Sequence, residues 1–151
     1  RKADAVTENV GHLRVNNHSI QVFMNYIPAT ASGFVPASHE DPRNPGVLKR
    51  VIADRSMFQA GHVQMLNWAR LPAGSSFRPH YHEDMQEVFV LVRGTVRMTG
   101  GESTVEMTAG DTVLVSPGEI HQMHNEGTED AEYIVFGISS EKGGRTVVVA
   151  D

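Results

Sequence analysis

Apolar side chains recur at alternate positions over short runs along most of this chain, with glycine and proline between the runs. A period of two puts successive side chains on opposite faces of an extended strand. "GHVQMLNWARL" (61–71) reads as one such strand and "LPAG" (71–74) as the turn that ends it. Further strands are expected at 77–81 and 87–92, and at 95–99 and 104–107, which pair across Gly100-Gly101. "DTVLV" (111–115), 121–125, "AEYIVFGI" (131–138) and "TVVVA" (146–150) complete the set. Many short strands at this spacing argue an all-β sandwich or barrel. No amphipathic helical stretch competes with them; at most, residues 3–10 make a turn of helix.

The first third has a different texture. Residues 19–26, "SIQVFMNY", are expected to form a strand. The following "IPATASGFVPASHEDPRNPG" carries four prolines and two glycines, which excludes a regular helix or a central strand. The expected division is therefore an extended arm over 1–46, packing on the barrel or on a partner subunit, and a barrel domain over 47–151. Ile20, Val22, Phe23, Phe34 and Val35 in the arm want burial, and an open sandwich leaves strand edges to cover. A homodimer in which the arm adds to the partner's sheet is expected. His-Glu-Asp occurs at 39–41 and again at 82–84, but the surroundings do not match and no repeat is read.

Composition narrows the function classes. With 40% hydrophobic and 21% charged residues in 151, the chain can build one respectable core. A formal charge of −5 offers no electrostatic footprint for nucleic acid or anionic lipid. The longest apolar run, 88–92, falls far short of the ~20 residues of a membrane helix. Absence of cysteine removes disulfides, zinc ribbons and thiol nucleophiles. A chain opening at Arg1 is expected to lack the first residues of its gene product; a soluble, cytoplasmic location is expected, with secretion left open.

The candidate chemistry sits in "RPHYHEDMQEVFVLVRG" (78–94). His80 and His82 share one face of a strand, and Glu87 opens the next after a short turn. In a hairpin its carboxylate returns to the level of the two imidazoles. Buried alone, these groups would be strongly destabilising. Two imidazoles and a carboxylate suit a divalent ion, at about 2.0–2.1 Å by zinc values, and form the facial set that leaves positions open on iron(II). The alternative is a surface turn whose histidines see water. "GDTVLVSPGEIHQMHN" (110–125) adds a third histidine after another Gly/Pro turn.

These two stretches together resemble the cupin superfamily, closest to the small single-domain conserved-barrel members. Gly74, His80, His82, Glu87 and Gly94 match the spacing of its first motif, and Gly110, Gly118, His121 and Asn125 that of its second. Ser116 stands where the second motif has proline, and Pro117 follows one place later; the departure touches a turn and not a ligand. The resemblance covers about residues 60–140. It implies a double-stranded β-helix, or jelly-roll, barrel with one divalent ion held by His80, His82, Glu87 and His121. Iron, manganese, nickel, zinc and copper all suit that donor set.

Strand parity extends the site. Ser76 and Arg78 would share the inward face of His80 and His82, so that Arg78 aims a guanidinium at the cavity and favours an anionic ligand; the alternative pairs it with a protein acid or leaves it at the rim. Phe89 shares a face with Glu87 and gives the cavity an apolar floor. Met123 and Asn125 share the face of His121, which turns His124 away. His12, His18, His39 and His62 read as ordinary surface or arm residues. Met65, Trp68, Met85, Met98, Met107 and Met123 read as core packing, and Gly74, Gly94, Gly110 and Gly118 as bends with unusual backbone angles.

Two function classes follow. The first is a metal-dependent enzyme on a small, anionic organic molecule, with dioxygenase, decarboxylase, isomerase or lyase chemistry at an open coordination position. The second is a non-catalytic module that binds or senses a small ligand through the metal. A storage or structural role fits poorly with so small a chain. No general base is evident, and one fold hosts many functions.

Overall fold

The structure is a computed structural model that describes residues 12–15, 18–21, 26–28, 30–58, 62–140 and 144–149. It separates into two compact units, 1–31 and 32–151. In the first, β1 (His12–Val15) and β2 (His18–Gln21) form an antiparallel hairpin. The strand expected at 19–26 is described only as far as Gln21; Val22, Phe23 and the helical turn expected at 3–10 lie outside the described residues.

Among the described residues, the second unit is all β apart from one 3-10 turn, Arg55–Met57. No described helix is long and apolar enough to cross a membrane. One sheet uses β3 (Val35–Pro36), β4 (Leu48–Asp54), β5 (Val63–Leu71), β7 (Met85–Arg93), β10 (Thr112–Val115) and β12 (Ala131–Ser139), ordered β10-β7-β12-β5-β4-β3. The other uses β6 (His80–His82), β8 (Thr95–Gly100), β9 (Ser103–Thr108), β11 (His121–His124) and β13 (Thr146–Val148), ordered β13-β6-β11-β8-β9. All pairings are antiparallel. From β5 onward the chain changes sheet at nearly every connection, which winds it into a double-stranded β-helix.

Four of those connections bend at a glycine of positive φ: Gly74 (72°), Gly94 (91°), Gly110 (100°) and Gly118 (79°). These are the four bends read from the sequence, and the angles are ones that side chains rarely adopt. The displaced proline finds its reason here. Glu119 N–H donates to Ser116 O at 3.2 Å, closing a turn with Pro117 second and Gly118 third. That placement suits a type II turn, with proline's fixed φ followed by a positive one. Asp111 fixes the preceding corner by accepting the N–H and hydroxyl of Thr108 at 2.7 and 3.1 Å.

Alternation dictates the core. Leu71, Phe77, Leu91, Met107 and Met123 are almost wholly buried between the sheets; burial of each such side chain stabilises by about 1.5–3 kcal/mol. The compact units divide between residues 31 and 32, inside the expected arm. Residues 32–46 pack with the barrel, where Ala37 N–H donates to Val47 O at 3.2 Å and both side chains are buried. Glu40, only 8% exposed, fastens the segment by accepting the N–H groups of Gly46 (2.7 Å) and Arg78 (3.0 Å). Proline kept this stretch from reading as core, yet its fixed angles suit a strap across a barrel. β4 was also missed, because charged and apolar residues alternate imperfectly in "LKRVIAD".

The strap leaves no room at Gly46, where a Cβ would lie 1.9 Å from Ser76 O, a backbone atom. Gly46→Ala is expected to lower stability by about 1–3 kcal/mol. Gly33→Ala, which meets nothing within 4 Å, should be near neutral. Urea denaturation of the two variants checks this; equal midpoints would show that the strap is loosely held.

Candidate metal centre and its cavity

Both sheets contribute to one cluster. The inner row of β7 is Met85, Glu87, Phe89 and Leu91, all buried. Facing it, β6 presents His80 and His82, and β11 presents His121 opposite His80 in register. Glu87 Oε2 lies 3.0 Å from His121 Nε2 and 3.1 Å from His82 Nε2. One donor atom from each of His80, His82, Glu87 and His121 falls within 4.8 Å of the others, and no residue of the four is more than 6% exposed.

Backbone carbonyls set the imidazole orientations. His80 Nδ1 donates to Arg78 O at 2.8 Å, His121 Nδ1 to Glu119 O at 2.9 Å and His82 Nδ1 to Gly144 O at 3.3 Å. A carbonyl only accepts, so a neutral ring held this way carries its proton on Nδ1 and turns an Nε2 lone pair inward; the Thr146 hydroxyl is a second contact to His82 Nδ1, at 3.2 Å. That is the tautomer a metal ligand needs, held by the outer contacts typical of metal-binding histidines. Nε2 of His82 and Nε2 of His121 both face Glu87 Oε2, where either a proton, as in the 3.0 Å hydrogen bond between His121 and Glu87, or a metal ion can sit between nitrogen and oxygen. His82 Nε2 is buried and has no hydrogen-bond partner despite its 3.1 Å approach. The four side chains therefore fit a divalent cation.

Charge states agree. Burial pulls His80 down to about 3, with the imidazoles of His39 and His121 pushing the same way. Burial alone would raise Glu87, but contacts from His121 and His82 outweigh it and hold the carboxyl at about 2. At neutral pH the cluster offers an anionic oxygen and a neutral His80 nitrogen.

A cavity of about 270 Å³ opens beside the cluster. Phe77, Phe89, Met65 and Val135 give it apolar walls, and Lys49 and Asn67 face it from β4 and β5. Tyr133 also lines it, and burial raises its phenol, which stays protonated. His39, expected at the surface, lines the cavity too. Its ring stacks on His80 at 4.1 Å between centroids and 21° between planes. Its Nε2 is 3.3 Å from Glu40 Oε1, without the alignment of a hydrogen bond. Nothing local in the sequence pairs His39 with His80; the strap brings them together.

Other expected site residues divide. Phe89 lines the cavity. Arg78 does not: it is exposed, while Phe77 and His80 both point inward. Regular alternation fails because 77–79 is not strand, and Pro79 allows the chain to turn between the two inward side chains. Ser76 bridges to His124 and is half-buried away from the cavity. Met123 points inward but fills the core. Asn125 shapes a turn, donating to Leu71 O (3.0 Å) and Glu129 O (2.8 Å) and accepting Gly127 N–H (3.0 Å). His124 is outside the cluster and His62 is exposed; the side chains of His12 and His18 are outside the described residues.

Acid should weaken the metal-free protein in a defined order. His80 has a folded-state pKa below its unfolded value of 6.5, so stability present above pH 6.5 is lost as pH falls toward 3. Glu87, also depressed, adds a loss below about 4.5. The urea midpoint of the chelated protein should be lower at pH 5 than at pH 7.5, and His80→Asn should flatten that difference. An unchanged slope in the variant would place the effect elsewhere.

Residues 67–137 match the family model of the cupin domain. Over 65 residues the chain is 32% identical to an oxalate-binding protein of Thermotoga maritima, covering 43% of this chain and 54% of that protein. Over 131 residues it is 28% identical to germin-like protein subfamily 1 member 1 of Arabidopsis thaliana, covering 80% of this chain and 60% of that one. The matches thus span little more than half the length of these curated relatives. Among solved structures, a predicted oxalate decarboxylase from Thermotoga maritima superposes with a TM-score of 0.67 at 22% identity, covering 76% of this chain and 99% of that one. The paired sheets and corner glycines agree with this match, and residues 67–137 form a cupin domain.

Proposed function

We propose that this chain is a metal-dependent cupin enzyme that binds a small organic anion at the metal and transforms it. The observation that carries the reading is the buried group of His80, His82, Glu87 and His121, with one donor atom of each within 4.8 Å of the others and each histidine Nδ1 in reach of a backbone carbonyl. A divalent ion held by His80, His82, Glu87 and His121 would supply Lewis acidity and, if redox-active, access to dioxygen chemistry. The protein's own part is positional. Phe77 and Phe89 exclude water from one side of the ligand, and Lys49 supplies a positive charge across the cavity. Arg78 was the cation expected for an anionic ligand; Lys49 takes that place. An oxalate-binding relative and a structural neighbour described as an oxalate decarboxylase support a small carboxylate ligand. The first of these names also favours the second reading, a module that binds without turnover.

Protein purified without a nickel column is expected to carry one divalent ion per chain, among iron, manganese, nickel, zinc or copper. Chelation should lower the melting temperature, since an ion bound only to the native state stabilises it by mass action. His82→Ala and His121→Ala should lose stoichiometric metal; retention of it in both removes the ligand assignment. Oxygen uptake and product analysis over small carboxylates and diketones separate the two readings: metal-dependent binding with no turnover anywhere in the panel leaves the binding module.

A homodimer belongs to the same reading. β3 is two residues long and covers only one end of the seven-residue β4, leaving sheet edge for another chain to pair with. Light scattering at micromolar concentration should give twice the chain mass, and a monomeric mass removes the proposal.

A further inference from the structure

Among the polar side chains that line the cavity outside the metal cluster, two stand out. Lys49 projects from β4, half-buried, and makes no hydrogen bond or ion pair among the described residues. Asn67 projects from β5 and is 4% exposed, and its Oδ1 is buried without a partner. The amide orientation follows from Met65, whose thioether sulfur accepts Asn67 Nδ2 at 3.1 Å. Sulfur there has no proton to give, so the nitrogen faces it and the oxygen faces away. Register places the two residues together: Lys49 pairs with Ala69 and Val51 with Asn67, which makes Lys49 and Asn67 diagonal neighbours on the inner face. Such neighbours are about 7–8 Å apart, a span that one small ligand bridges. Of the neighbouring polar groups, His39 Nε2 is likewise buried without a hydrogen bond and faces Glu40, while others are engaged. Gln64 donates to His62 O, and Thr146 Oγ1 lies 3.2 Å from His82 Nδ1.

We propose that Lys49 and Asn67 form a recognition pair for an organic acid carrying a hydroxyl or enolic O–H beside its anionic group, in preference to a plain dicarboxylate. The inference rests on the reading that an organic anion binds at the metal, and it specifies what else that anion bears. A buried amide oxygen without a partner requires a donor. A simple dicarboxylate has none when ionised, and would set its own oxygens against Oδ1 or leave Oδ1 unpaired. A ligand with an O–H satisfies Asn67 while its carboxylate meets the ammonium of Lys49. Burial lowers the pKa of that ammonium, with Glu87 partly opposing, which marks a charge lacking a close counter-ion.

Malonate and tartronate, which differ by one hydroxyl, test this by calorimetry on protein loaded with the metal it copurifies with. Tartronate should bind the parent about tenfold more tightly, or about 1.4 kcal/mol. Asn67→Leu should erase that ratio while leaving malonate binding within about threefold. Lys49→Met should weaken both acids about tenfold or more and preserve the ratio. Metal content and melting temperature are read in parallel, and Asn67→Val repeats the test if the leucine variant does not load metal. Equal affinity of the parent for the two acids overturns the inference and leaves the metal-anion reading standing. A ratio that persists in Asn67→Leu also overturns it, since the metal and not the amide would then read the hydroxyl. Lys49→Met binding as the parent does removes Lys49 from the pair. If neither acid binds the metal-loaded parent, both this inference and the anion reading fall.

Discussion

Everything at the functional end of this barrel depends on a carboxylate buried against imidazole lone pairs. Glu87 is 5% exposed and sits 3.0 and 3.1 Å from two Nε2 atoms whose rings have given their Nδ1 protons to carbonyls. A proton or a metal ion belongs between nitrogen and oxygen there, as in the hydrogen bond between His121 and Glu87, since a bare lone pair and an anion would repel. An extra proton resolves one contact, while a divalent ion resolves all four at once. The same arithmetic explains why the donors come from both sheets. Glu87 belongs to the six-stranded sheet and the three histidines to the five-stranded one, so an ion held there would also clasp the sheets together. Removing a single partner would leave an uncompensated buried charge, which is why such clusters tolerate no piecemeal loss.

The backbone makes that geometry reproducible. Gly118 N–H donates to His82 O at 2.7 Å, so the turn that carries the chain into β11 is fastened to the strand bearing two ligands. Glu119, next in that turn, supplies the carbonyl that orients His121. One rigid corner thus fixes both the position and the tautomer of a ligand on a neighbouring strand. Moving the proline from position 116 to 117 preserves this, because the turn needs proline followed by a positive φ, which Pro117-Gly118 provides.

Legibility in the sequence tracked locality. His80, His82 and Glu87 lie within eight residues and follow strand parity; His121 was added by a motif resemblance whose glycines all proved to be bends. The barrel was readable for the same reason, since its strands announce themselves by alternation and its corners by glycine. Parity failed at Arg78, where Pro79 interrupts the strand and two inward side chains stand three apart. His39 was unreadable because its partner His80 is forty-one positions away and only the strap brings them into stacking contact. Asn67 did leave a signal. It is the single polar residue in the inward row Met65, Asn67, Ala69, Leu71 of β5, and a polar residue on an apolar face calls for an explanation. Lys49 left less, because β4 was not recognised as a strand and parity had nothing to act on.

These placements separate two kinds of information within one cavity. The three histidines and the glutamate define a donor set that suits several metals and several chemistries, so their presence says little about the substrate. Lys49 and Asn67 stand on β4 and β5, outside the donor set, and their demands are specific: a negative charge for one and a hydrogen-bond donor for the other. A ligand satisfying only the metal leaves Asn67 Oδ1 buried and unpaired, and that penalty discriminates more sharply than an added contact would. On the proposed reading, selectivity in this barrel belongs to the strands that flank the metal site. Exchanging side chains on β4 and β5 could redirect the ligand while leaving the ion and its four donors untouched.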